Sequence, residues 1–146
     1  EFNLREKSKT IKKKQNFYNF SPIEFKSPDN LVIQVGTNMK QNDLISFKYS
    51  KKGDLWFHAQ ESPGSHVVLK SSVKDPTSND IQISADIAAF FSKAKGNFKV
   101  PINLVNIKDL NKINKGGLGC VSFKKQQILW GNPTRGEDYI KKIRES

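Results

Sequence analysis

The sequence predicts an α+β domain in which a mostly antiparallel sheet of hairpins packs on one main helix, at about residues 84–95. Three observations predict this fold. Short apolar segments alternate with turn residues along most of the chain. The segment 83–96 has apolar residues at helical spacing over several turns. The length of 146 residues fits one domain with an adequate core and leaves little room for a second.

The strands are predicted from short apolar runs bounded by glycine, proline, asparagine or aspartate. Two pairs of them are predicted to form hairpins, the first through the turn at Asp29 and Asn30 and the last through 124–126. In chain order the predicted strands are 18–25, 31–35, 55–58, 66–70, 100–107, 119–123 and 127–130.

The main helix is predicted to begin at Ser84, which would cap it, and to end at Gly96. Its last turn would then carry Lys93 and Lys95, where cations interact favourably with the helix dipole. Two shorter helices are expected on either side of it. The first covers 37–49, with Thr37 or Asn38 as its cap and Met39, Leu44 and Phe47 on its apolar face, and the second covers 136–144.

The domain is expected to span residues 17–146, because residues 1–16 are basic and too poor in apolar side chains to bury a face. We read them as a linker or the end of an upstream helix. The single cysteine, Cys120, fits a reducing compartment, and no apolar run is long enough for a membrane span. The expectation is a cytoplasmic protein without membrane contact.

The net charge of +11 is concentrated in one part of the chain. Residues 31–92 carry equal numbers of basic and acidic side chains, whereas residues 93–125 carry eight lysines against Asp109. We call residues 93–125 the lysine segment. A polyanion is a natural partner for such a segment, because each phosphate contact releases condensed counterions. A solvated surface that serves only solubility is the alternative.

The segment 54–70 concentrates side chains that suit planar bases or phosphate. It contains Trp56, one of two tryptophans, and both histidines, His58 and His66. On a strand Trp56 and His58 share one face, and the apolar residues beside them share the other. The sequence therefore predicts that these rings lie on a binding face or are partly buried beneath it.

The turn between the two strands of this segment contains Pro63, Gly64 and Ser65. Gly64 can adopt a positive φ, which would turn successive backbone N–H groups into a small anion-binding concavity. The alternative is a well-packed hairpin in which Trp56 belongs to the core and the imidazoles are structural.

Catalytic and metal sites find little support in the sequence. His58, His66 and Cys120 lack the close spacing of structural zinc motifs. Ser65 and His66 are adjacent, so on a strand they point to opposite faces and cannot act as a nucleophile and its base. We therefore expect no metal, no cofactor and no active site.

Several motifs together resemble the NFACT-R domain, formerly DUF814, over about residues 17–133. They are Gly36-x-Asn38, Gln41-Asn42-Asp43, Asp54-x-Trp56-x-His58, Pro63-Gly64-Ser65-His66-Val67, Ser92-Lys93-Ala94, Val100-Pro101 and Gly117-x-Gly119-x-Val121. The resemblance implies the RNA-binding part of a ribosome-associated quality control protein, of a family once described in bacteria as fibronectin-binding. Residues 1–16 would then end a coiled coil.

Such a parent protein binds a large ribosomal subunit carrying peptidyl-tRNA and recruits charged tRNA, so that a C-terminal tail marks the stalled chain. The implied partners are tRNA, large-subunit ribosomal RNA and other domains of the parent. Charge and resemblance together predict a noncatalytic RNA-binding module. Its predicted RNA-binding residues are Trp56, His58, Gly64, Ser65, His66, Lys93, Lys95, Lys112, Lys115, Lys124 and Lys125. A protein-docking or adhesion module and an enzyme that uses His58 or His66 are the alternatives.

Overall fold

The computed structural model of the protein describes residues 21–113, 117 and 119–145, where it shows an α+β fold, as the sequence predicts. The main sheet is antiparallel throughout, in the order β1-β2-β4-β3-β5-β8, and β6 and β7 form a separate hairpin. The strands are β1 Ile23–Lys26, β2 Val32–Val35, β3 Leu55–Ala59, β4 Val67–Leu69, β5 Val100–Asn106, β6 Leu110–Lys112, β7 Val121–Phe123 and β8 Gln127–Gly131.

Three α-helices lie within the same described residues. They are α1 Met39–Asp43, which continues directly into a π-helical turn over Leu44–Lys48, α2 Ser78–Phe90 and α3 Pro133–Glu145. A short 3₁₀ helix, Ile107–Asp109, connects β5 to β6. The basic residues 1–16, for which the sequence predicted a linker or a helix end, lie outside the described residues.

The predicted first hairpin is confirmed, since β1 pairs with β2 from Ile23 opposite Val35 to Lys26 opposite Val32. Its turn is closed by the Ser27 N–H, which donates to the Leu31 carbonyl at 2.7 Å. The register places Ile23 and Phe25 of β1 and Ile33 and Val35 of β2 on one face of the sheet, where they pack into the core.

Helix α2 begins six residues before the predicted start, because Thr77 and Asp80 form a capping box. The Thr77 hydroxyl accepts from the Asp80 N–H at 3.2 Å, and the Asp80 carboxylate accepts from the Thr77 N–H at 2.9 Å. Asp80 also accepts from the Asp29 N–H, which ties the helix to the first hairpin. The predicted cap, Ser84, is instead buried inside the helix and donates to the Asp80 carbonyl. The first turn of the helix is polar, so the apolar spacing that predicted the helix does not extend to it.

Helix α2 also ends earlier than predicted, at Phe90. The Ser92 hydroxyl donates to the Ala89 carbonyl at 2.7 Å, so it takes one of the acceptors that the last helical turn leaves free. Lys93 and Lys95 therefore lie in the turn that follows the helix and not in its last turn, so the predicted placement of these lysines was wrong.

The short helix predicted at 37–49 is confirmed, with Asn38 as the cap that accepts from the Gln41 N–H at 2.9 Å. Its predicted apolar face is only partly correct. Met39 is largely exposed, whereas Ile45 and Ser46 are buried. The π-helical turn changes the residue spacing, which is why a 3.6-residue period misplaced the buried face.

The predicted hairpin between 119–123 and 127–130 does not form. Strand β7 pairs with β6, and β8 pairs with β5 from Val100 opposite Gly131 to Leu104 opposite Gln127. The turn residues 124–126 therefore connect two sheets. Part of the lysine segment, Leu110–Lys112, supplies β6.

Each face of the main sheet packs a separate core. One face packs against α2 and α3 and buries Phe57, Ile87 and Ile102, among other residues. The opposite face buries Trp56 and Val105 in a smaller cluster, beneath the π-helical turn and the β6–β7 hairpin. The sheet is thus the middle layer of the fold, and β3 contributes aromatic side chains to both sides.

We expect the substitution Thr77→Ala to lower the free energy of unfolding by about 1 kcal/mol, because it removes the side-chain cap of α2. Urea denaturation followed by circular dichroism measures this difference. The matched control is Ser78→Ala, at the exposed first position of the helix. An equal loss in both variants would contradict the placement of the cap.

Candidate nucleic-acid interface

A cleft of about 550 Å³ opens where three segments of the chain meet. The segments are the end of β2 with the start of α1, the turn after β3, and the turn after α2. Four of the predicted RNA-binding residues line it: Gly64, Ser65, Lys93 and Lys95. The other lining residues are Gly36, Thr37, Asn38, Met39, Asn42, Pro63, Phe90, Phe91 and Ser92.

The two turns that border the cleft are joined by backbone hydrogen bonds. The Ser65 N–H donates to the Phe91 carbonyl at 3.1 Å, and the Lys93 N–H donates to the Pro63 carbonyl at 2.9 Å. Gly64 forms an isolated antiparallel bridge with Ser92, the residue between Phe91 and Lys93. This pairing holds Lys93 beside the turn after β3, although the two lie far apart in the sequence.

Gly64 is required for close approach and does not adopt a positive φ, so the anion-binding concavity expected at this glycine does not form. A Cβ at this position would lie 3.0 Å from both Cα and Cβ of Ser92. The next two N–H groups are already used, since Ser65 donates to Phe91 and His66 donates to Oδ1 of Asn42 at 3.0 Å. The turn can therefore contribute its shape to ligand binding, but not these two N–H groups.

The opposite wall of the cleft is fixed by Gly36 and Asn42. The Gly36 N–H donates to the His66 carbonyl at 3.0 Å, and a Cβ on Gly36 would lie only 2.2 Å from Oδ1 of Asn42. These two residues were not among the predicted RNA-binding positions. The motifs Gly36-x-Asn38 and Gln41-Asn42-Asp43 were the signal that could have identified them.

Trp56 is a core residue, as in the alternative that the sequence left open, and its ring does not lie on an exposed face. Its side chain is 1% exposed, and its Nε1 donates to the Ser46 hydroxyl at 3.1 Å. Because both faces of the sheet carry a core, the alternation along β3 buries Trp56 on one side and Phe57 on the other. In this position the indole cannot stack on a base.

His66 is also buried, and its Nδ1 lies 2.8 Å from the same Ser46 hydroxyl. The hydroxyl can accept from Trp56 while it donates to Nδ1 of a neutral imidazole. Burial, followed by the nearby His58, lowers the pKa of His66 to about 3. The ring of His66 is therefore neutral at pH 7 and supplies no positive charge for a phosphate.

His58 lies between these buried groups and the surface. Its ring stacks on Trp56 with centroids 5.7 Å apart and meets His66 edge-on at 5.4 Å. Burial lowers its pKa, and a hydrogen bond with the Gly64 backbone opposes that shift. Of the three rings predicted to contact RNA, His58 alone is partly exposed. Its ring contacts the rings of Trp56 and His66.

The predicted lysines do not form one cluster. Lys93 and Lys95 are exposed at the rim of the cleft, whereas Lys112 lies 3.0 Å from the Asp43 carboxylate. Lys124 and Lys125 are exposed in the connection before β8 and do not line the cleft. Lys115 lies outside the described residues.

The described residues contain no group of three histidine, cysteine, aspartate or glutamate side chains that could hold a metal ion. Nor is any helix of the described part long and apolar enough to cross a membrane.

We expect the stability of the protein to fall as the pH is lowered from 7.5 to 5. Between pH 6.5 and about 3 the unfolded chain protonates His66 while the folded state keeps it neutral, so the unfolded state binds more protons. This difference removes about 2 kcal/mol of unfolding free energy at pH 5. Urea titrations at both pH values measure it.

The matched variant is His66→Asn, which keeps a polar atom near the position of Nδ1 but does not titrate in this range. Its unfolding free energy should depend less on pH than that of the wild type, whatever its absolute stability. An equal pH dependence in the two proteins would show that His66 is not the group responsible.

Comparisons with known proteins identify the family. The model of the NFACT protein RNA binding domain matches residues 17–125. A curated relative from Streptococcus suis, "Rqc2 homolog RqcH", is 42% identical over 113 residues, which are 77% of this chain and 20% of that protein. The protein of the same name from Bacillus subtilis is 34% identical over 143 residues, 98% of this chain and 24% of that protein.

A solved structure has the same fold. The C-terminal part of the fibronectin/fibrinogen-binding protein from Streptococcus suis superposes with a TM-score of 0.77 at 40% sequence identity, over 84% of this chain and 49% of that one. This chain spans about a fifth to a quarter of the length of the curated relatives above. Because the family model covers most of the chain, the protein belongs to the NFACT protein RNA binding domain family.

Proposed function

We propose that this domain binds RNA through the cleft and the lysines at its rim, as the noncatalytic RNA-binding module of a cytoplasmic ribosome-associated quality control factor. Its partners would be tRNA, large-subunit ribosomal RNA or both, together with other domains of a parent protein that tags stalled chains. The observation that carries the proposal is the cleft, which brings Gly64 and Ser65 together with Lys93 and Lys95. Membership of the family supports RNA as the ligand class.

The chemistry of the cleft suits the backbone of a folded RNA. Its walls contribute apolar surface from Phe90, Phe91 and Pro63, and its rim contributes the ammonium groups of Lys93 and Lys95. Folded RNA is recognised mainly by shape and by contacts to phosphate and ribose, because the deep major groove of its helices hides the base edges. A rigid cleft with cations at its edge matches that mode of recognition.

The histidines act as structural groups in this proposal. His66 is buried, neutral and hydrogen-bonded to Ser46, and His58 packs against Trp56. A general base needs access to the proton that it removes. We therefore expect the isolated domain to bind RNA without turning it over.

The double substitution Lys93→Ala/Lys95→Ala should weaken binding of a tRNA transcript. It should also reduce the slope of log Kobs against log salt by about 1.5, since each lost phosphate contact removes roughly 0.7 to 0.9 from the slope. Fluorescence anisotropy at several salt concentrations measures both quantities. Ribosomal RNA fragments in the same assay distinguish the two RNA partners.

The matched control is Lys51→Ala/Lys52→Ala, which removes the same charge from an exposed turn at the opposite end of β3. This variant should keep the wild-type slope. Equal effects in both double variants would mean that the cleft has no special role and that net charge alone attracts RNA.

The substitution Trp56→Phe should lower the free energy of unfolding by roughly 1–3 kcal/mol and leave the RNA affinity of the folded protein unchanged. The reason is that it removes the indole N–H from the buried Ser46 hydroxyl without exposing a new surface. Thermal unfolding and the tRNA anisotropy assay measure the two effects. A loss of affinity at temperatures where the variant is fully folded would restore a direct role for Trp56.

A protein-binding role is the second candidate, favoured by one observation: the structural neighbour is described as a fibronectin/fibrinogen-binding protein. Surface plasmon resonance on immobilised fibronectin tests it directly. Binding that survives Lys93→Ala/Lys95→Ala would favour adhesion, whereas RNA binding that is lost in the same variant favours the proposal above.

A further inference from the structure

The edge strand β8 exposes two large apolar side chains on the face of the sheet that points away from α2. Ile128 is 48% exposed and Trp130 is 58% exposed. Between them, Leu129 points to the other face and packs against the main core. Neither Ile128 nor Trp130 belongs to the two core clusters. Stability of the described fold therefore gives no reason for a tryptophan at this position.

The neighbouring strand extends this surface. In the register of the sheet Trp130 lies opposite Pro101, Ile128 lies opposite Asn103, and Asn103 lies opposite His58 on the next strand. We call Trp130, Pro101, Ile128 and Asn103 the edge strip. The edge strip is a flat, mainly apolar surface with a partly exposed imidazole at its inner border.

An unpaired polar atom lies within the edge strip. Oδ1 of Asn103 is buried and has no hydrogen-bond partner among the described residues, although the side chain is 7% exposed. An unmade hydrogen bond of this kind is unfavourable, so buried acceptors are normally paired. This oxygen is also closed to solvent, so a ligand on the edge strip would not reach it without a movement of the side chains around it.

The charge around the edge strip favours a polyanion. Lys124 and Lys125 lie in the connection just before β8, and Lys99 directly precedes β5, so lysines lie near both ends of this strand pair. From residue 93 to residue 131, Asp109 is the sole acidic residue of the sequence. A planar ring with an attached negative charge would complement this surface, and an unpaired nucleotide has both properties.

We propose that the edge strip is a second RNA contact, at which Trp130 stacks on an unpaired nucleobase and the neighbouring lysines attract the phosphates attached to it. Stacking on aromatic side chains is the common way in which proteins hold single-stranded RNA, and it tolerates any base because every base has a π-face. This proposal rests on the proposed RNA-binding function and adds a site for unpaired nucleotides outside the cleft.

The test uses the complete 146-residue chain with two probes, a single-stranded oligoadenylate and a blunt-ended RNA duplex of the same length. Trp130→Ala should reduce affinity for the oligoadenylate at least about fivefold, the lower end of the loss caused by removing one stacked ring. Its affinity for the duplex should stay unchanged, because the duplex offers no unpaired base. Trp130→Phe, which keeps an aromatic ring, should recover most of the loss.

Two further measurements keep the test independent of folding defects. Tyr49→Ala truncates a partly exposed aromatic side chain outside the edge strip and should leave both affinities unchanged. In the wild-type protein, the fluorescence that disappears in Trp130→Phe should be quenched by the oligoadenylate and not by the duplex. Wild-type affinity of Trp130→Ala for the oligoadenylate, or equal losses on both probes, would overturn the proposal.

The outcomes also separate this proposal from the function on which it rests. If Lys93→Ala/Lys95→Ala weakens RNA binding while Trp130→Ala does not, the proposal for the cleft is kept and only the proposal for the edge strip is wrong. If the wild-type protein binds neither probe nor tRNA, both proposals fail. Quenching of Trp130 that grows with protein concentration in the absence of RNA would show that a second copy of the chain covers the edge strip.

Discussion

The backbone pairing between the turn after β3 and the chain after α2 is the contact on which the candidate site depends. It joins Pro63 and Ser65 to Lys93 and Phe91 by direct hydrogen bonds, and it needs Gly64 because a side chain there would collide with Ser92. Backbone bonds are directional and short, so they fix the distance between the turns. The cleft and the position of its lysines follow from this pairing.

A second constraint is that the sheet is covered on both faces. The Ser46 hydroxyl contacts both Trp56 and His66, which are buried against the π-helical turn. The polar atoms of this small core are paired with one another, so the rings can be buried without leaving unmet hydrogen bonds. A segment rich in rings that often contact nucleic acid therefore serves the fold, and it positions the adjacent turn.

The walls of the cleft and the positive charge of the domain come from different parts of the chain. The cleft walls derive largely from residues 36–65, whose surroundings carry balanced charge, whereas the positive charge lies in the lysine segment. The turn after α2 belongs to both, because Lys93 and Lys95 begin the lysine segment and also border the cleft. The edge strip lies next to the same segment. Electrostatic attraction and shape selection can therefore act together on one polyanion.

The sequence by itself determined the fold class, the first hairpin, the helical segments, the uneven distribution of charge and, through its motifs, the family. These properties follow from local patterns and composition. Tertiary structure decided the rest. Pairing of β7 with β6 and of β8 with β5 joins residues that no local period relates, and the Thr77–Asp80 box moved the start of α2. Trp56 and Trp130 lie on the same face of the sheet. Trp56 is buried and Trp130 exposed because the π-helical turn and the β6–β7 hairpin cover β3 but not the edge strand β8, and that depends on long-range packing.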